Sequence, residues 1–278
     1  MKRIIKGVQI RIKYALIDFI YPSKKYLKVF WYDSTHNFGD AITPILLGEL
    51  SGKKVIRIDP NYYRKKHLLA IGSVLSMSHK NSIVWGAGFV SEKSECVEKP
   101  LKVYAVRGPK TRQKLIESGI DCHEVYGDPA LLLPKIYYPK IKKKYKLGIV
   151  PHYVDKNASW LNNYRNMKDI KILDIQASDP FKFINDLLSC ENIASSSLHG
   201  VIVGDAYHIP SIWITFSDKV TGGNFKFLDY FMSVGRKDTK ALAIKKDTTL
   251  NDIFEQFYDY DININLDLLL GSCPFKIV

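Results

Sequence analysis

The sequence predicts an α/β protein made of two Rossmann-like halves, each a parallel sheet with helices on its faces. From residue 27 onward, short apolar runs rich in β-branched and aromatic residues alternate with segments of helical period. This alternation is typical of a parallel sheet, because successive parallel strands are joined by long, usually helical crossovers. A proline- and lysine-rich segment, YYPKIKKKYK, interrupts the alternation, and a second series of strands and helices follows it.

The first series contains five predicted strands, LKVFWY, KVIRID, LLAIG, SIVWG and LKVYAV. Two predicted helices lie among them, GDAITPILLGELSG and GPKTRQKLIESG. In the second helix Pro109 stands in the first turn, where no N–H is needed, and Gly119 is a stop signal.

The second series has strands YKLGIV, IKILDI, NIASS and SIWITF, with helices near 157–165, 179–189 and 199–207. The tail from 248 to 270 has a helical period and is free to pack on either half. We therefore predict a basic amphipathic segment at 1–26, an N-terminal Rossmann-like domain at 27–138, a basic linker at 139–146 and a C-terminal domain at 147–278.

The basic charge of the chain is local. The net charge is +13, and residues 1–28 carry eight Lys or Arg against Asp18 alone, while residues 129–146 carry six lysines and no acid. Because the positive and negative charges of the rest of the chain cancel, we expect no nucleic-acid groove. The four cysteines match neither a zinc nor a redox spacing, so we expect them to be reduced, in a cytoplasmic protein.

The first segment is amphipathic but is not a membrane span, because Arg11 and Lys13 interrupt its apolar residues. Two interpretations stay open: a helix lying on an anionic membrane surface, and an ordinary helix docked on the core. The first places the protein in the cytoplasm, peripheral at the inner face of the membrane.

Several polar motifs follow predicted strands, where helix N-termini of a parallel sheet favour anionic ligands. In DSTHNFGDAITP, the residues Asn37, Gly39 and Asp40 form either a helix cap or part of a site. In VWGAGF, Gly86 and Gly88 indicate close approach of the backbone to a ligand or to the facing half, without the full dinucleotide fingerprint.

A second group of motifs adds charge. Arg107 in YAVRGPKT precedes a helix and suits a carboxylate or phosphate, although pairing with an ordinary acid is the alternative. Asp128 in YGDPALLLP is a cap or a site residue. SSSLHG sits between an apolar strand and an apolar helix, where its histidine suits acid–base chemistry or phosphate binding and its serines can also be caps. The candidate anion-binding residues of this last motif are Ser195, Ser196, Ser197, His199 and Gly200.

Taken in order, NFGD, VWGAGF, VRGPKT, YGDPALLLP, SSSLHG and NFKFLDYF resemble the polysaccharide pyruvyl transferase family over about residues 30–235. The resemblance implies the architecture of the two-domain GT-B glycosyltransferases, with the active site in a cleft between the halves. It implies transfer of pyruvate from phosphoenolpyruvate, as a cyclic ketal, onto a sugar of a capsule or exopolysaccharide or of its precursor.

By the same resemblance His199 is the catalytic histidine, and Arg107 holds the anionic donor. Asn37 and Asp40 lie in the loop where an acceptor hydroxyl is bound or deprotonated. The sequence departs from the pattern at Ser197, where the resemblance predicts an arginine. The other candidates are Lys110 and Lys226 for the donor, and Gly39, Gly86, Gly88, Asp128 and His152 for the acceptor side.

Two other functions remain open from the sequence: a glycosyltransferase using a nucleotide sugar, and a binding subunit of a polysaccharide assembly complex without activity of its own. We expect no cofactor, with phosphoenolpyruvate as a substrate, and no metal, because no cluster of ligands has metal spacing. The expected partners are a saccharide acceptor, here taken as lipid-linked, and the anionic membrane surface.

Overall fold

A computed structural model of the chain describes Tyr14 and residues 16–278. Most of the predicted amphipathic segment at 1–26 lies outside these residues, and its described part is helical over residues 16–20.

The first half forms a five-stranded sheet in the order β2-β1-β3-β4-β5, in which all pairs are parallel. Its strands are β1 (Tyr26–Phe30), β2 (Lys54–Arg57), β3 (His67–Leu69), β4 (Ser82–Trp85) and β5 (Lys102–Ala105). Its helices are α1 (Phe38–Ser51), α2 (Pro109–Glu117) and α3 (Leu133–Ile136), with 3₁₀ helices at Leu75–Met77 and Pro129–Leu132.

The second half forms another parallel five-stranded sheet, in the order β10-β9-β8-β6-β7. Its strands are β6 (Tyr145–Val150), β7 (Ile170–Ile172), β8 (Cys190–Ser195), β9 (Ser211–Thr215) and β10 (Leu242–Ala243). Its helices are α4 (Pro180–Leu188), α5 (Leu198–Ala206), α6 (Phe225–Ser233), α7 (Leu250–Phe254) and α8 (Leu266–Gly271), with 3₁₀ helices at Tyr153–Asp155 and Ser159–Asn163.

The two sheets have the same connectivity. Numbered within its own half, each runs 2-1-3-4-5, so the chain moves to one side after the first strand and then reverses. Such a reversal separates the loops after two neighbouring strands and opens a crevice at their carboxyl ends. The crevices lie after β1 and β3 in the first half and after β6 and β8 in the second. The predicted α/β fold of two Rossmann-like parallel sheets is confirmed.

Local sequence explains where the helices next to these crevices begin and end. The side chain of Asn37 caps α1 by accepting from the N–H of Asp40, at 3.3 Å. The helix ends where Gly52 takes the left-handed conformation, with φ 62°. Helix α2 begins at Pro109, as predicted.

Two sequence expectations were wrong in detail. The helix expected near 157–165 is a short 3₁₀ turn, Ser159–Asn163, which buries Trp160 and Leu161. The tail expected to be helical over 248–270 instead forms α7 and α8, with no helix between them at 255–265. Helix α8 packs on the first half, where the Trp85 Nε1 donates to the carbonyl of Leu269, at 2.9 Å.

The two halves share a continuous apolar core. One cluster of buried side chains includes Val29 and Trp85 of the first sheet together with Val150 and Ile193 of the second. At the junction the ring of Phe38 lies 4.7 Å from that of Phe183, between centroids. The domain boundaries, and a cleft between the halves, stay predictions.

Candidate active site

A pocket of about 370 Å³ is lined by residues of both halves. The segments that follow β1 and β3 contribute Asn37, Asp40 and Gly72, and the segments that follow β6 and β8 contribute His152 and His199. Four segments that are distant in sequence therefore meet, because each follows a strand next to a reversal in its sheet. We call this pocket the junction pocket.

His199, in the first turn of α5, is enclosed by the first half. Its Nε2 lies 3.8 Å from the Oδ2 of Asp128, and this buried atom has no hydrogen-bond partner within residues 16–278 or in Tyr14. Burial lowers the pKa of His199, Asp128 opposes the shift, and the positive charges of Lys226 and Arg107 reinforce it. The free protein therefore holds a neutral imidazole in the pocket at neutral pH.

Gly39 allows this histidine to approach. A Cβ placed on Gly39 would overlap the imidazole of His199, whose ring lies against the start of α1. The glycine of NFGD is thus required by contact with a residue 160 positions later in the chain.

Asp128 is held rigidly behind His199. Its Oδ1 accepts from the N–H of Ala130 at 3.0 Å, and its Oδ2 accepts from the N–H of Gly72 at 3.2 Å. The carboxylate is fully buried. Asp128 is therefore a helix cap, as one interpretation of the sequence predicted, and it also places negative charge beside the imidazole.

Lys226, at the start of α6, is a buried cation whose ammonium lies 5.8 Å from the ring centroid of Phe227. The residue is 9% exposed and lines the junction pocket, and its ammonium has no ion pair or hydrogen bond to any residue that the structure describes. Burial, reinforced by the charge of Arg107, lowers its pKa to about 8. An ammonium so placed is stabilised by an anion that enters the pocket.

The N-terminus of α5 adds to this positive potential. Ser197 is the N-cap residue, but its side chain makes no capping hydrogen bond. Because the first N–H groups of a helix have no intrahelical acceptor, those of Leu198 and His199 are available beside the pocket.

Asp40 is the acidic group of the pocket. Its Oδ1 accepts from the N–H of Tyr32 at 2.8 Å, and its Oδ2 accepts from the side-chain amide of Asn37. Burial raises the pKa of Asp40 to about 6, and the hydrogen bonds from Tyr32 and Asn37 oppose the shift. At neutral pH this carboxylate is ionised and basic enough to accept a proton from a bound group.

The three serines have different positions. Ser195 is fully buried, where its hydroxyl donates to the carbonyl of Ser197 and accepts from the Ser197 N–H. The Ser196 hydroxyl accepts from the N–H of His152 at 2.7 Å. Gly200 packs against Ser195, because a Cβ there would overlap the serine hydroxyl. Of these three serines, Ser197 alone lines the junction pocket.

His152 also lines the pocket and caps the 3₁₀ helix that follows β6. Burial, with a contribution from the charge of Lys226, lowers its pKa to about 4. At neutral pH the imidazole of His152 is therefore an uncharged polar group in the wall of the junction pocket.

Arg107 lies outside the residues that line the pocket. Its guanidinium is fully buried and pairs with Asp229, with Nε and Nη2 at 3.0 and 2.9 Å from Oδ2. Nη2 also donates to the carbonyl of Phe89, and Nη1 donates to the hydroxyl of Ser73, at 2.8 Å. Of these partners Ser73 lines the pocket, so Arg107 lies one residue behind its wall.

Asp229 and Ser73 were missed by sequence reasoning. Asp229 stands in NFKFLDYF, and it also caps α2 by accepting from the N–H and hydroxyl of Thr111. Ser73 follows Gly72 at the end of LLAIG, so its position after a strand was the available signal.

Three other candidates also lie away from the pocket lining. Gly86, with φ 88°, packs against Pro129, and Gly88 packs against the guanidinium of Arg107. Both glycines therefore allow close packing within the first half, and neither contact is made with the second half. Lys110 pairs with Glu92 near the surface, at 3.2 Å.

The family model of the polysaccharide pyruvyl transferases matches residues 4–218, about three quarters of the chain, which include every residue of the junction pocket named above except Lys226. The chain belongs to the polysaccharide pyruvyl transferase family. The uncharacterized protein L143 of Acanthamoeba polyphaga mimivirus is 31% identical over 87% of this chain and 88% of its own length. The succinoglycan biosynthesis protein ExoV of Rhizobium meliloti is 26% identical over 75% of this chain and 65% of its own length. No solved structure matches the chain at a significant level.

The described residues contain neither a membrane-spanning helix nor a metal-binding cluster. Over Tyr14 and residues 16–278, no helix has the length and apolar character needed to cross a bilayer. In the same part of the chain, no three His, Cys, Asp or Glu side chains are placed to hold a metal ion.

Proposed function

We propose that this family member transfers pyruvate from phosphoenolpyruvate onto two hydroxyls of a saccharide used in polysaccharide synthesis, forming a ketal and releasing phosphate. The observation that supports this most directly is the presence of two basic side chains in one pocket: His199, whose buried Nε2 has no hydrogen-bond partner among the described residues, and Lys226, whose ammonium has neither a hydrogen bond nor an ion pair among them. A buried basic group that the protein leaves unpaired favours an anionic ligand.

The donor carries a phosphate and a carboxylate. In the proposed complex these anions lie between Lys226 and the N-terminus of α5, and Ser197 supplies a neutral hydroxyl. Arg107 lies behind the pocket wall and acts on the donor through the Ser73 hydroxyl, to which its guanidinium donates. Binding of the anion raises the pKa of His199 and of Lys226, because an opposite charge offsets the burial that lowers both.

The chemistry follows from this arrangement. His199, protonated once the donor is bound, gives its proton to the methylene carbon of the donor, and positive charge develops on the adjacent carbon. A sugar hydroxyl forms a bond to that carbon while Asp40 accepts its proton. The bond from this carbon to the phosphate oxygen then breaks, and the second hydroxyl adds in its place. Of the two hydroxyl protons, one replaces that of His199 and the other leaves with phosphate.

We further propose that the acceptor is lipid-linked and that the protein docks on the cytoplasmic face of an anionic membrane. Support comes from Phe19 and Ile20, which are 89% and 54% exposed on the helical residues 16–20, a few positions before Lys24 and Lys25. Apolar side chains beside lysines bind anionic bilayers through burial and charge together. Phe19→Ser should reduce binding to vesicles containing phosphatidylglycerol, and unchanged binding would contradict this proposal.

The experiment that tests the proposed reaction measures phosphate release from phosphoenolpyruvate, with lipid-linked oligosaccharides as acceptors. We expect acceptor-dependent release by the wild type and by Lys146→Met, a control lysine at the surface, and none by His199→Gln. Phosphoenolpyruvate and phosphate should also raise the melting temperature. Stabilisation by nucleotide sugars alone would instead support a glycosyltransferase. Saccharide binding without phosphate release would support a binding subunit.

A further inference from the structure

A second pocket of about 460 Å³ adjoins the junction pocket on the side of the second half. It is formed mainly by the ends of β8 and β9 and by the loop from β9 to α6. We propose that this pocket, which we call the side pocket, binds an uncharged saccharide unit of the acceptor, a proposal that rests on the proposed function.

The first observation is an unpartnered indole. Trp213, in β9, lines the side pocket and is 3% exposed, and its buried Nε1–H has no hydrogen-bond partner among Tyr14 and residues 16–278. A buried indole N–H usually has an acceptor, because leaving it unpaired costs about 1–3 kcal/mol. A ligand oxygen in the side pocket would supply that acceptor.

The indole is also held in one orientation. The rings of Trp213 and Phe227 are stacked, with centroids 4.5 Å apart and planes 13° from parallel, and Phe231 packs at 5.9 Å. Its N–H direction is therefore set before a ligand binds, which reduces the entropy lost on binding.

The chemistry of the wall indicates a neutral polyhydroxyl ligand. Besides the indole, the wall carries hydroxyl and amide groups, those of Ser196, Thr215, Ser217, Thr221 and Asn224. Hydroxyls both donate and accept, as sugar hydroxyls do. The two charged residues, Asp218 and Lys240, are of opposite sign, so the wall carries no net charge. The junction pocket, with its unpaired ammonium, differs in this respect.

The side pocket adjoins the candidate active site. Thr221 lines both pockets, Ser196 precedes Ser197 in the junction pocket, and Phe227 follows Lys226. The loop from β9 to α6, which carries Thr221, packs on the first half. A Cβ on Gly222 in this loop, with φ 89°, would overlap the carbonyl of Val90. A saccharide unit in the side pocket is thus placed to continue into the sugar that reacts near Asp40.

The test follows the indole N–H signals of the full-length protein by two-dimensional NMR. The probes are the methyl glycosides of glucose, galactose, mannose and N-acetylglucosamine, each at tens of millimolar, and inorganic phosphate. We expect at least one glycoside to shift the signal of Trp213, assigned from Trp213→Phe. The signal of Trp160 should not move, because that N–H already donates to the carbonyl of Thr248, at 2.8 Å.

Trp213→Phe keeps an aromatic ring beside Phe227 and removes the N–H. We expect about a 5- to 10-fold rise in the KM for the saccharide acceptor, the loss of one hydrogen bond, with kcat and the KM for phosphoenolpyruvate unchanged. Trp160→Phe is the matched control and should leave all three unchanged.

The outcomes separate this inference from the proposed function. If no glycoside moves the Trp213 signal, or if phosphate alone moves it, the saccharide subsite is wrong whatever the enzyme transfers. If glycosides move it but no phosphate is released from phosphoenolpyruvate, the subsite stands and the proposed reaction fails.

Discussion

Arg107 and Lys226 are both buried basic residues beside the junction pocket, yet they have opposite surroundings. The guanidinium of Arg107 has three hydrogen-bond partners, Asp229, Ser73 and the carbonyl of Phe89, whereas the ammonium of Lys226 has no hydrogen bond or ion pair among the described residues and lies 5.8 Å from the ring centroid of Phe227. A paired buried charge holds elements together, and an unpaired one costs stability unless a ligand completes it. The partners of a basic group, rather than its burial, therefore separate structural from binding roles in this protein.

A second paired arginine supports this distinction. Arg236 donates to Asp205 at 2.8 Å and to Tyr260 at 2.8 Å, and it also pairs with Asp238, at 2.9 Å. These contacts join α5, the segment after α6 and the chain near 260. Arg236, like Arg107, lies outside the lining of the junction pocket.

The largest effect should follow from breaking the paired arginine. Arg107→Met leaves the carboxylate of Asp229 buried and uncompensated, so we expect the free energy of unfolding to fall by about 3–5 kcal/mol, measured by urea denaturation. The matched control is Arg64→Met, which breaks a surface pair with Glu98 and should cost about 0–1 kcal/mol. Unchanged stability with lost donor binding would instead place Arg107 in the same class as Lys226.

The unpaired lysine should behave in the opposite way. Lys226→Met removes a buried charge that has no ion pair or hydrogen bond among the described residues, so we expect stability equal to or above that of the wild type. If the ammonium stabilises the departing phosphate, kcat should fall by about 10²–10³-fold. Stabilisation by phosphate in thermal melts should be lost as well. Lys146→Met, at an exposed surface pair, should change neither property. A strongly destabilised Lys226→Met protein would contradict the comparison.

Sequence reasoning found the strands well because their apolar runs are local signals. It placed His199, Asp40 and Asn37 in one site because each follows a strand, and strand ends of parallel sheets meet at one edge. The strand order that brings both reversals together comes from long-range pairing, which no local pattern records.

The dependence on long-range packing also explains why the sequence alone did not distinguish the role of Arg107 from that of Lys226. Both precede or begin a helix, and both were candidates for the donor. What distinguishes them is Asp229, three residues after Lys226 along α6, whose carboxylate reaches Arg107 across 122 positions of sequence. A helix places residues three apart on one side only approximately, so the partner of each charge depended on the packing of α6 against α2.

A pH profile should test the acidic side of the junction pocket. Because the pKa of Asp40 is raised to about 6, the folded state binds its proton more tightly than the unfolded chain does. Its contribution to stability is therefore present below about pH 4 and is lost as the pH rises through 6. Activity should change in the opposite direction, since the ionised form accepts the hydroxyl proton, and kcat/KM should rise through about pH 6.

Asp40→Asn is the matched variant for that profile. It keeps an oxygen that accepts from the N–H of Tyr32 but cannot titrate, so the rise near pH 6 should disappear together with most of the activity. A rise that persists in the variant would assign the titration to another group and leave Asp40 as a helix-end residue.

The smallest effect should come from Ser197, whose hydroxyl has no hydrogen bond to a described residue. Ser197→Ala should change stability by less than about 1 kcal/mol and raise the KM for phosphoenolpyruvate by about 2- to 10-fold, the loss of one hydrogen bond to an anion. Ser197→Arg provides the stronger comparison when it is combined with Lys226→Met. The resemblance predicted an arginine at position 197, and Lys226 is the residue that would supply the same positive charge here. If it does, the double variant should regain part of the affinity for phosphoenolpyruvate that Lys226→Met loses. No recovery in a folded double variant would mean that the position of the charge on α6 matters, and not only its presence in the pocket.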